Sequence, residues 1–311
     1  LEDVSFDVMP GKTIGLVGES GCGKTTTLMS IMRLLPASGR ITGGNIYFKG
    51  NDLLALSEIE MRAHRWKDMA IIFQGAMNAL NPVMKIGDQI REAILLHKLM
   101  DRDAAEQRVG ELLELVGIPR PRRDLYPHQY SGGMRQRAMI AMALACSPEL
   151  LFADEPTTAL DVMLQAQVLE LLKEIQKKLG LAIVLVTHDL GVVAEMCDDV
   201  VVMYGGKVAE YSSAELVYNQ PQHPYTQRLL ESFPDLSRST DSSTDEDLAT
   251  IPGTPPRLNA LPPGCRFSPR CHKSIEICTQ IAPNLVDMAK GFGVRHLAAC
   301  HLLHETEIED V

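Results

Sequence analysis

Short apolar runs alternate along the chain with stretches in which apolar residues recur at helical spacing. Five of these runs have the length and composition of strands: "TIGLV" (13–17), "MAIIF" (69–73), "LLFAD" (150–154), "LAIVLVT" (181–187) and "VVVMY" (200–204). Helical spacing extends over 86–117, and "MLQAQVLELLKEIQKKL" (163–179) predicts a helix that stops at Gly180. This alternation predicts an α/β fold, with a mainly parallel sheet covered on both faces and a helical insertion.

Two further helices are predicted from their start signals. "KTTTLMSIMRLL" (24–35) follows a glycine-rich turn, and Ser131 is typical of an N-cap that opens "GGMRQRAMIAMALAC" (132–146). The opening residues, "LEDVSFDV" (1–8), look like the interior of a strand. We therefore expect a further N-terminal piece to precede Leu1.

The character of the chain changes after about residue 233. Residues 234–250 are acidic and rich in serine and threonine, which is typical of a flexible linker, and "IPGTPPRLNALPPG" (251–264) is rich in proline. We therefore predict one domain at 1–233, a linker at 234–250 and a small module at 251–311. The linker is expected to separate this module from the chemistry of the first domain.

Composition narrows the functional class. The 311 residues are 45% hydrophobic, which fits a globular core, and their net charge of -10 argues against a nucleic-acid-binding surface. No stretch reaches the roughly 18 consecutive apolar residues of a membrane span. The seven cysteines, an odd number spread along the chain, do not form the pattern of a disulfide framework, which favours a cytosolic location.

The stretch "GESGCGKT" fits the phosphate-loop pattern G-x-x-x-x-G-K-S/T between a predicted strand and a predicted helix. Backbone N–H groups of such a loop point at phosphate oxygens, and the helix N-terminus adds positive potential. Lys24 would reach the β- and γ-phosphates, and the hydroxyl of Thr25 would bind Mg²⁺. The candidate nucleotide-binding residues here are Gly18, Glu19, Ser20, Gly21, Cys22, Gly23, Lys24, Thr25 and Thr26.

A pair of acids completes the predicted nucleotide site. The apolar strand in "LLFADEP" delivers Asp154 to its carboxyl end, where the ligands of open α/β sheets bind. Asp154 is therefore expected in the Mg²⁺ shell, and Glu155 is placed to polarise a water that attacks the γ-phosphate. The phosphate loop and these acids together predict a nucleotide hydrolase.

The stretch "YSGGMRQR" (130–137) resembles the signature of ABC-type ATPases, with Ser131, Gly132 and Gly133 about 20 residues before the paired acids. Three more elements are similar to those of the same family and follow in its order. They are the Q-loop at Gln74, the D-loop "ALD" at 159–161 with Asp161, and the switch histidine His188 in "VTHD".

This resemblance implies an ABC-type ATPase fold with an antiparallel β piece and a helical subdomain at about 75–135. It also implies that two such domains sandwich two ATP molecules, so that Ser131 and Gly133 touch the γ-phosphate bound by the partner. Gln74 would join Thr25 and Asp154 around Mg²⁺ and sense the attacking water, and His188 would stabilise the transferring phosphate. The aromatic residue that stacks on adenine in this family would lie upstream of Leu1.

Three stretches outside the ATPase motifs look like the ATP-binding subunits of oligopeptide and dipeptide importers: "IIFQGAMNALNP" (71–82), "HPYTQRLL" (223–230) and "IPGTPPRLNALPPGCRFSPRC" (251–271). One departure is Gly75-Ala76, where that group usually has an acid and a proline. The resemblance implies a peptide cargo, with nickel or another small solute as the alternative. An exporter ATPase is less favoured, because the chain has the proline- and cysteine-rich tail of the importers. A soluble ABC ATPase is also less favoured, because such proteins more often have a second ATPase cassette or a basic arm, whereas this sequence has one cassette and is acidic.

The same resemblance implies partners and a location. A second ATPase chain, different or identical, would pair with this one beneath two integral membrane permeases. A substrate-binding protein outside the membrane would deliver the cargo. The chain would therefore lie peripherally on the cytoplasmic face of the cell (inner) membrane.

Four cysteines are concentrated in the C-terminal module, with the spacing C-x5-C-x6-C-x21-C. A small segment with little apolar material usually needs a covalent or metal staple. An iron–sulfur cluster of the 4Fe-4S type tolerates irregular spacing and is similar to what this group of ATPases is proposed to hold. Structural zinc, with His272 or His301 as substitute ligands, disulfides and four unligated thiols remain alternatives. The candidate ligands are Cys265, Cys271, Cys278 and Cys300.

Overall fold

A computed structural model of the chain describes residues 1–75, 79–158, 160–232, 251–289 and 295–303. The predicted linker at 234–250 lies outside these residues, as do Ala76 and Ala159. The chain divides into two units. The first unit comprises Leu1–Asp7, Ile14–Thr26 and Thr187–Val311, and the second comprises Val8–Thr13 and Thr27–Val186. The domain boundaries predicted at 233 and 250 stay predictions.

The strands and helices follow one another along the described ranges of the chain. The strands are β1 (Thr13–Val17), β2 (Tyr47–Phe48), β3 (Asn51–Asp52), β4 (Met69–Ile72), β5 (Leu150–Asp154), β6 (Ala182–Thr187), β7 (Asp199–Tyr204), β8 (Lys207–Ser213), β9 (Val286–Asp287) and β10 (Leu297–Ala298). The α-helices are α1 (Lys24–Ile31), α2 (Glu58–His64), α3 (Ile86–Leu96), α4 (Arg102–Leu115), α5 (Gly132–Ala143), α6 (Val162–Leu179), α7 (Leu190–Met196), α8 (Ala214–Asn219), α9 (Pro224–Glu231) and α10 (Glu276–Gln280).

The second unit contains a parallel sheet in the order β4-β5-β6. Its strands read as continuous apolar runs because both faces of the sheet are covered, and Leu151, Phe152 and Val184 are fully buried. The register of β5 and β6 runs from Leu150 opposite Ala182 to Asp154 opposite Val186. Since the strands are parallel, their carboxyl ends meet at one edge of the sheet.

The first unit combines one parallel pair with antiparallel strands. β1 and β7 pair in parallel, and β8, β10 and β9 follow in antiparallel order. The antiparallel β piece implied by the family resemblance is therefore present. The short strands β9 and β10 come from the C-terminal residues, so the C-terminal part of the chain completes this sheet.

All five strands predicted from apolar runs are present, and Gly180 ends α6 in the left-handed conformation at φ 64°. Three predictions are wrong in detail. The helix predicted at 24–35 ends at Ile31, because Arg33 turns the chain at φ 52°. The helix predicted at 132–146 ends at Ala143. Residues 1–8 form no strand.

Candidate nucleotide site

The phosphate loop follows β1 in the first unit, and its first glycine is required by a close approach. Gly18 has φ 146°, and a Cβ atom there would lie 2.2 Å from the carbonyl oxygen of Met203. No other residue type fits this position without moving the backbone. The loop can therefore curve directly out of the buried strand.

Lys24 forms hydrogen bonds with the backbone at the start of the phosphate loop. The side chain is 6% exposed, and Nζ donates hydrogen bonds to the carbonyl oxygens of Gly18 at 2.6 Å and Glu19 at 3.2 Å. Lys24 is also the first residue of α1, so its ammonium group lies where the helix N-terminus adds positive potential. Thr25 and Thr26 follow it in the first turn and are exposed.

The middle of the loop differs in exposure from residue to residue. Ser20 and Gly21 are exposed, whereas Cys22 is buried, and this burial raises the pKa of its thiol against the opposing effect of Lys24. A cavity of about 410 Å³ opens beside the loop. Glu19 to Cys22 line the cavity together with Tyr204, Gly205 and the proline-rich residues 255–259.

The paired acids end β5 in the second unit. Asp154 is the last residue of the strand and is 1% exposed. Glu155 follows in the left-handed conformation at φ 45°, which is strained for a residue with a Cβ atom, and its N–H donates to Val186 O at 2.9 Å. Strain of this kind persists only where the surrounding contacts hold it.

The side chains of Gln74 and Thr158 both donate hydrogen bonds to the Glu155 carboxylate. Gln74 Nε2 donates to Glu155 Oε2 at 2.8 Å, and Thr158 Oγ1 donates to the same oxygen at 2.9 Å. The structure thus brings together Gln74 and Glu155, which are 81 positions apart in the sequence. Sequence reasoning missed Thr158, although a hydroxyl three residues after the acid is a signal that could have indicated it.

The signature residues open α5 as predicted. Ser131 is the N-cap, and its side chain accepts a hydrogen bond from the N–H of Met134 at 3.3 Å. Gly133 is buried against α6, since a Cβ atom there would lie 2.9 Å from Leu164 Cδ2. Asp161 caps α6 by accepting from the N–H of Leu164 at 2.9 Å. The signature and Asp161 therefore share a neighbour in α6.

His188 lies directly after β6 and is exposed. The next residue, Asp189, caps α7 by accepting from the N–H groups of Gly191 at 2.8 Å and Val192 at 3.3 Å. The cap fixes the backbone on the C-terminal side of His188. The role of His188 in stabilising the transferring phosphate stays a prediction.

The C-terminal segment lies against the phosphate loop, and the expectation that a linker separates the two is wrong. Both oxygens of the Glu19 carboxylate accept from the Arg270 guanidinium, and the Glu19 N–H donates to the hydroxyl of Tyr225. Sequence reasoning missed Arg270 and Tyr225 as neighbours of the nucleotide loop. These partners are more than 200 positions from Glu19, so no local pattern links them.

The four C-terminal cysteines lie close together in the C-terminal part of the chain. Cys265 N–H donates to Cys278 O at 2.8 Å, and burial, with a smaller contribution from the other three thiols, raises the pKa of Cys300 to about 11. All seven cysteines are free. Within the described part of the chain, no group of three or more His, Cys, Asp or Glu side chains is arranged to hold a metal ion. The predicted cluster and its zinc alternative therefore stay predictions.

Comparison with known families agrees with this geometry. The family model described as ABC transporter matches residues 1–158, and the model described as oligopeptide/dipeptide transporter, C-terminal region, matches residues 209–278. The chain belongs to the ABC transporter ATPase family. Its members couple ATP hydrolysis to transport, and the chain is accordingly an ATPase.

Several curated proteins are similar over most of the chain. The dipeptide transport ATP-binding protein DppD of Bacillus subtilis is 53% identical over 90% of this chain and 83% of its own length. The oligopeptide transport ATP-binding protein OppD of Salmonella typhimurium is 46% identical over 96% of this chain and 87% of its own length.

Solved structures show the same fold. An ATP-binding cassette solved as a dimer with ADP and Pi, in a post-hydrolysis state, is 27% identical with a TM-score of 0.61, and the match covers 69% of this chain and 90% of that chain. The cbiO1 protein of Clostridium perfringens, part of an ABC transporter complex, is 28% identical with a TM-score of 0.62, covering 70% and 83%. No helix among the described residues is long and apolar enough to cross a membrane.

Proposed function

We propose that this chain hydrolyses ATP to power the import of peptides through a membrane ABC transporter. The observation that carries the proposal is the combination, in one chain, of the ATPase site with the C-terminal region that the oligopeptide/dipeptide transporter model matches at 209–278. Curated relatives at 46–53% identity are named for dipeptide and oligopeptide transport, which supports the same cargo class.

The phosphate loop binds the triphosphate of ATP in this proposal. Its backbone N–H groups and the Lys24 ammonium attract the phosphate oxygens. Mg²⁺, when bound, neutralises charge on the β- and γ-phosphates. Thr25, Asp154 and Gln74 would hold it, and their oxygen atoms are the donor type that Mg²⁺ prefers. A carboxylate as buried as that of Asp154 fits a cation site, because a counter-charge stabilises buried negative charge.

Glu155 acts as the general base that accepts a proton from the attacking water. The hydrogen bonds from Gln74 and Thr158 to Oε2 fix the rotation of its carboxylate, so that little reorganisation is needed when the proton is transferred. Thr158 is thereby a positioning residue. His188, exposed after β6, stabilises charge on the transferring phosphate.

The proposed assembly places the signature of one ATPase domain over the nucleotide of another. Ser131, Gly132 and Gly133 form a helix N-terminus that attracts anions, and Asp161 lies beside it through the shared neighbour in α6. The partner is a second ATPase chain, different or identical. Residues 75–135 contact two membrane permeases, an external binding protein delivers the peptide, and this chain lies on the cytoplasmic face of the membrane.

The test compares two identical chemical changes at different carboxylates. Glu155→Gln is expected to lower ATP hydrolysis by about 100-fold or more while ATP binding is retained. The matched control is Glu149→Gln, because Glu149 precedes β5, is 58% exposed and pairs with surface Lys49. It is expected to keep hydrolysis within about twofold, since exposed ion pairs contribute little.

Both variants are then introduced into cells that lack this chain, and the uptake of labelled di- and oligopeptides is measured. The unmodified chain and Glu149→Gln should restore uptake, and Glu155→Gln should not. Restored uptake of nickel without peptide uptake would support the alternative cargo. Substantial steady-state hydrolysis by Glu155→Gln would refute the general-base role.

We propose further that Cys265, Cys271, Cys278 and Cys300 ligate an iron–sulfur cluster, with zinc as the alternative. Four thiols are a suitable donor set for an iron–sulfur cluster or for zinc. The electrostatic effects of these thiols on one another's pKa values support their proximity. Burial raises the pKa values of Cys265, Cys271 and Cys300, so these groups are thiols without metal, and binding must displace their protons.

Anaerobic purification followed by analysis of iron, sulfide and zinc tests this proposal. About four irons and four sulfides per chain are expected, and Cys300→Ser should lose them. The control Cys146→Ser, at a buried cysteine outside the C-terminal module, should retain them. One zinc and a colourless protein would favour the alternative, and a metal-free protein would refute both.

A further inference from the structure

The segment between the first two C-terminal cysteines, "CRFSPRC" at 265–271, forms an ion pair with the phosphate loop. Arg270 Nη1 lies 2.6 Å from Glu19 Oε2, and Arg270 Nη2 lies 3.0 Å from Glu19 Oε1. The two side chains are 6% and 25% exposed. A bidentate pair of this kind has one preferred geometry and is weakly screened by solvent. The carboxylate of the second loop residue is therefore held in place by the C-terminal segment.

Arg270 is itself fixed by other partners. Nε donates to Pro252 O at 2.8 Å, Nη2 donates to Ile251 O at 3.2 Å, and Nη1 donates to the hydroxyl of Tyr204 at 3.2 Å. The guanidinium also lies over the Tyr204 ring, 5.9 Å from its centre. Because so many contacts must break together, this guanidinium is a rigid point of attachment.

The backbone of Glu19 is held by a hydrogen bond to Tyr225, which packs against the same cysteine-flanked segment. Its N–H donates to the hydroxyl of Tyr225 at 2.9 Å, and Tyr225 is fully buried. Phe267, from the cysteine-flanked segment, packs edge-on against Tyr225 at 5.3 Å and against Tyr204 at 5.1 Å. The segment thus reaches the loop through an aromatic cluster as well as through the ion pair.

We propose that Arg270 is a positioning residue for nucleotide binding, which acts by holding Glu19 in the phosphate loop. Two physical effects act in the same direction. A loop held at Glu19 loses less conformational entropy when its N–H groups converge on phosphate. The guanidinium also offsets the negative charge that Glu19 would otherwise present to a polyphosphate. The proposal rests on the ATPase activity of the family and adds that nucleotide affinity depends on the C-terminal segment.

A double-mutant cycle on the full chain tests whether Arg270 acts through Glu19. The probe is a fluorescent ADP analogue with Mg²⁺, whose dissociation constant is measured at equilibrium. Arg270→Ala is expected to weaken binding about tenfold in the unmodified chain, and less than about twofold in a chain that already carries Glu19→Ala. Equal effects in both backgrounds would overturn the proposal, because Arg270 would then act independently of Glu19.

The matched control is Arg295→Ala. Arg295 also belongs to the C-terminal part of the chain and also pairs with an acid, Asp7, at 2.9 Å, but both side chains are largely exposed. This control should leave the affinity for the ADP analogue unchanged. An equal loss of affinity in Arg295→Ala would overturn the specific role of Arg270.

Steady-state kinetics separate positioning from a merely structural role. Loss of folded protein would lower kcat at constant KM, whereas loss of positioning should raise the KM for ATP about tenfold. If Arg270→Ala fails to fold, Arg270→Lys retains the charge without the bidentate geometry and should raise KM about threefold. An unchanged KM in every Arg270 variant that folds would overturn the proposal. Failure of the unmodified chain to bind ADP would instead count against the ATPase assignment.

Discussion

Acidification is expected to destabilise the first unit through one buried imidazole, that of His223. This residue is 4% exposed and caps α9, where its Nδ1 accepts from the N–H of Tyr225 at 3.0 Å. The backbone N–H of His223 donates to Glu210 Oε2 at 2.9 Å, and the other oxygen of Glu210 lies 2.8 Å from His296 Nε2. A protonated Nδ1 could no longer accept the capping bond.

The size of the expected loss in unfolding free energy follows from the pKa of His223. Burial lowers this pKa from 6.5 to about 4, and the nearby Glu210 carboxylate opposes the change only in part. Between these values the unfolded chain binds more protons than the folded chain, so stability is complete above about pH 6.5 and falls as the pH approaches 4. The expected loss at pH 4 is about 3 kcal/mol, at about 1.4 kcal/mol per pH unit.

The assay is urea unfolding followed by far-UV circular dichroism at a series of pH values from 7 to 4. His223→Asn provides the test variant, because its amide oxygen can replace Nδ1 as the cap acceptor and does not titrate. The free energy of unfolding of this variant should fall by about 3 kcal/mol less than that of the unmodified chain over the same range. His128→Asn, at an exposed histidine in the second unit, should follow the unmodified chain.

A constant difference in unfolding free energy between His223→Asn and the unmodified chain, from pH 7 to pH 4, would refute this reasoning. It would show that the imidazole either remains neutral in both states or gains a proton in the folded chain without cost. Acid sensitivity of the chain would then have to arise from other groups.

Two further predictions concern the backbone of the nucleotide site. Gly18→Ala should destabilise the chain by about 3 kcal/mol and abolish binding of the ADP analogue, because its Cβ atom would meet Met203 O. The control Gly21→Ala, also at positive φ but with open space around the added atom, should cost about 1 kcal/mol in urea unfolding. Glu155→Gly should be about 1 kcal/mol more stable than Glu155→Ala, since only glycine relieves the strain at φ 45°. Equal stability of these two variants would refute strain at Glu155.

Features that depend on neighbouring residues were predictable from the sequence. The strand, glycine-rich turn and helix at 13–31 lie close together in the chain, and their hydrophobic pattern defines them. The N-cap at Ser131 and the stop at Gly180 depend on the chemistry of single residues. Two helix ends were misplaced, because capping competes there with turn geometry such as that at Arg33, and residues 1–8 form no strand.

Two features were missed because the patterns that encode them are weak. The strand β8 contains the buried polar residues Glu210 and Ser212. Glu210 accepts from the backbone N–H groups of Gln222 and His223 and lies 2.8 Å from His296 Nε2, and the Ser212 hydroxyl donates to the carbonyl oxygen of Arg295. Thr158 is exposed, and the polar stretch that contains it has no apolar periodicity. A pattern of hydrophobic positions identifies neither β8 nor Thr158, because the positions of Glu210, Ser212 and Thr158 do not depend on the burial of apolar side chains.

The sequence by itself determined the catalytic family, since its motifs are contiguous stretches whose chemistry can be recognised without coordinates. The tertiary structure alone decided which of those stretches are joined. The tertiary structure brings Gln74 within hydrogen-bond distance of Glu155, and it pairs Arg270 with Glu19, 251 positions away in the sequence. The physical reason is that these contacts join groups brought together by strand order and chain reversal, whereas periodicity and capping describe only neighbours along the chain.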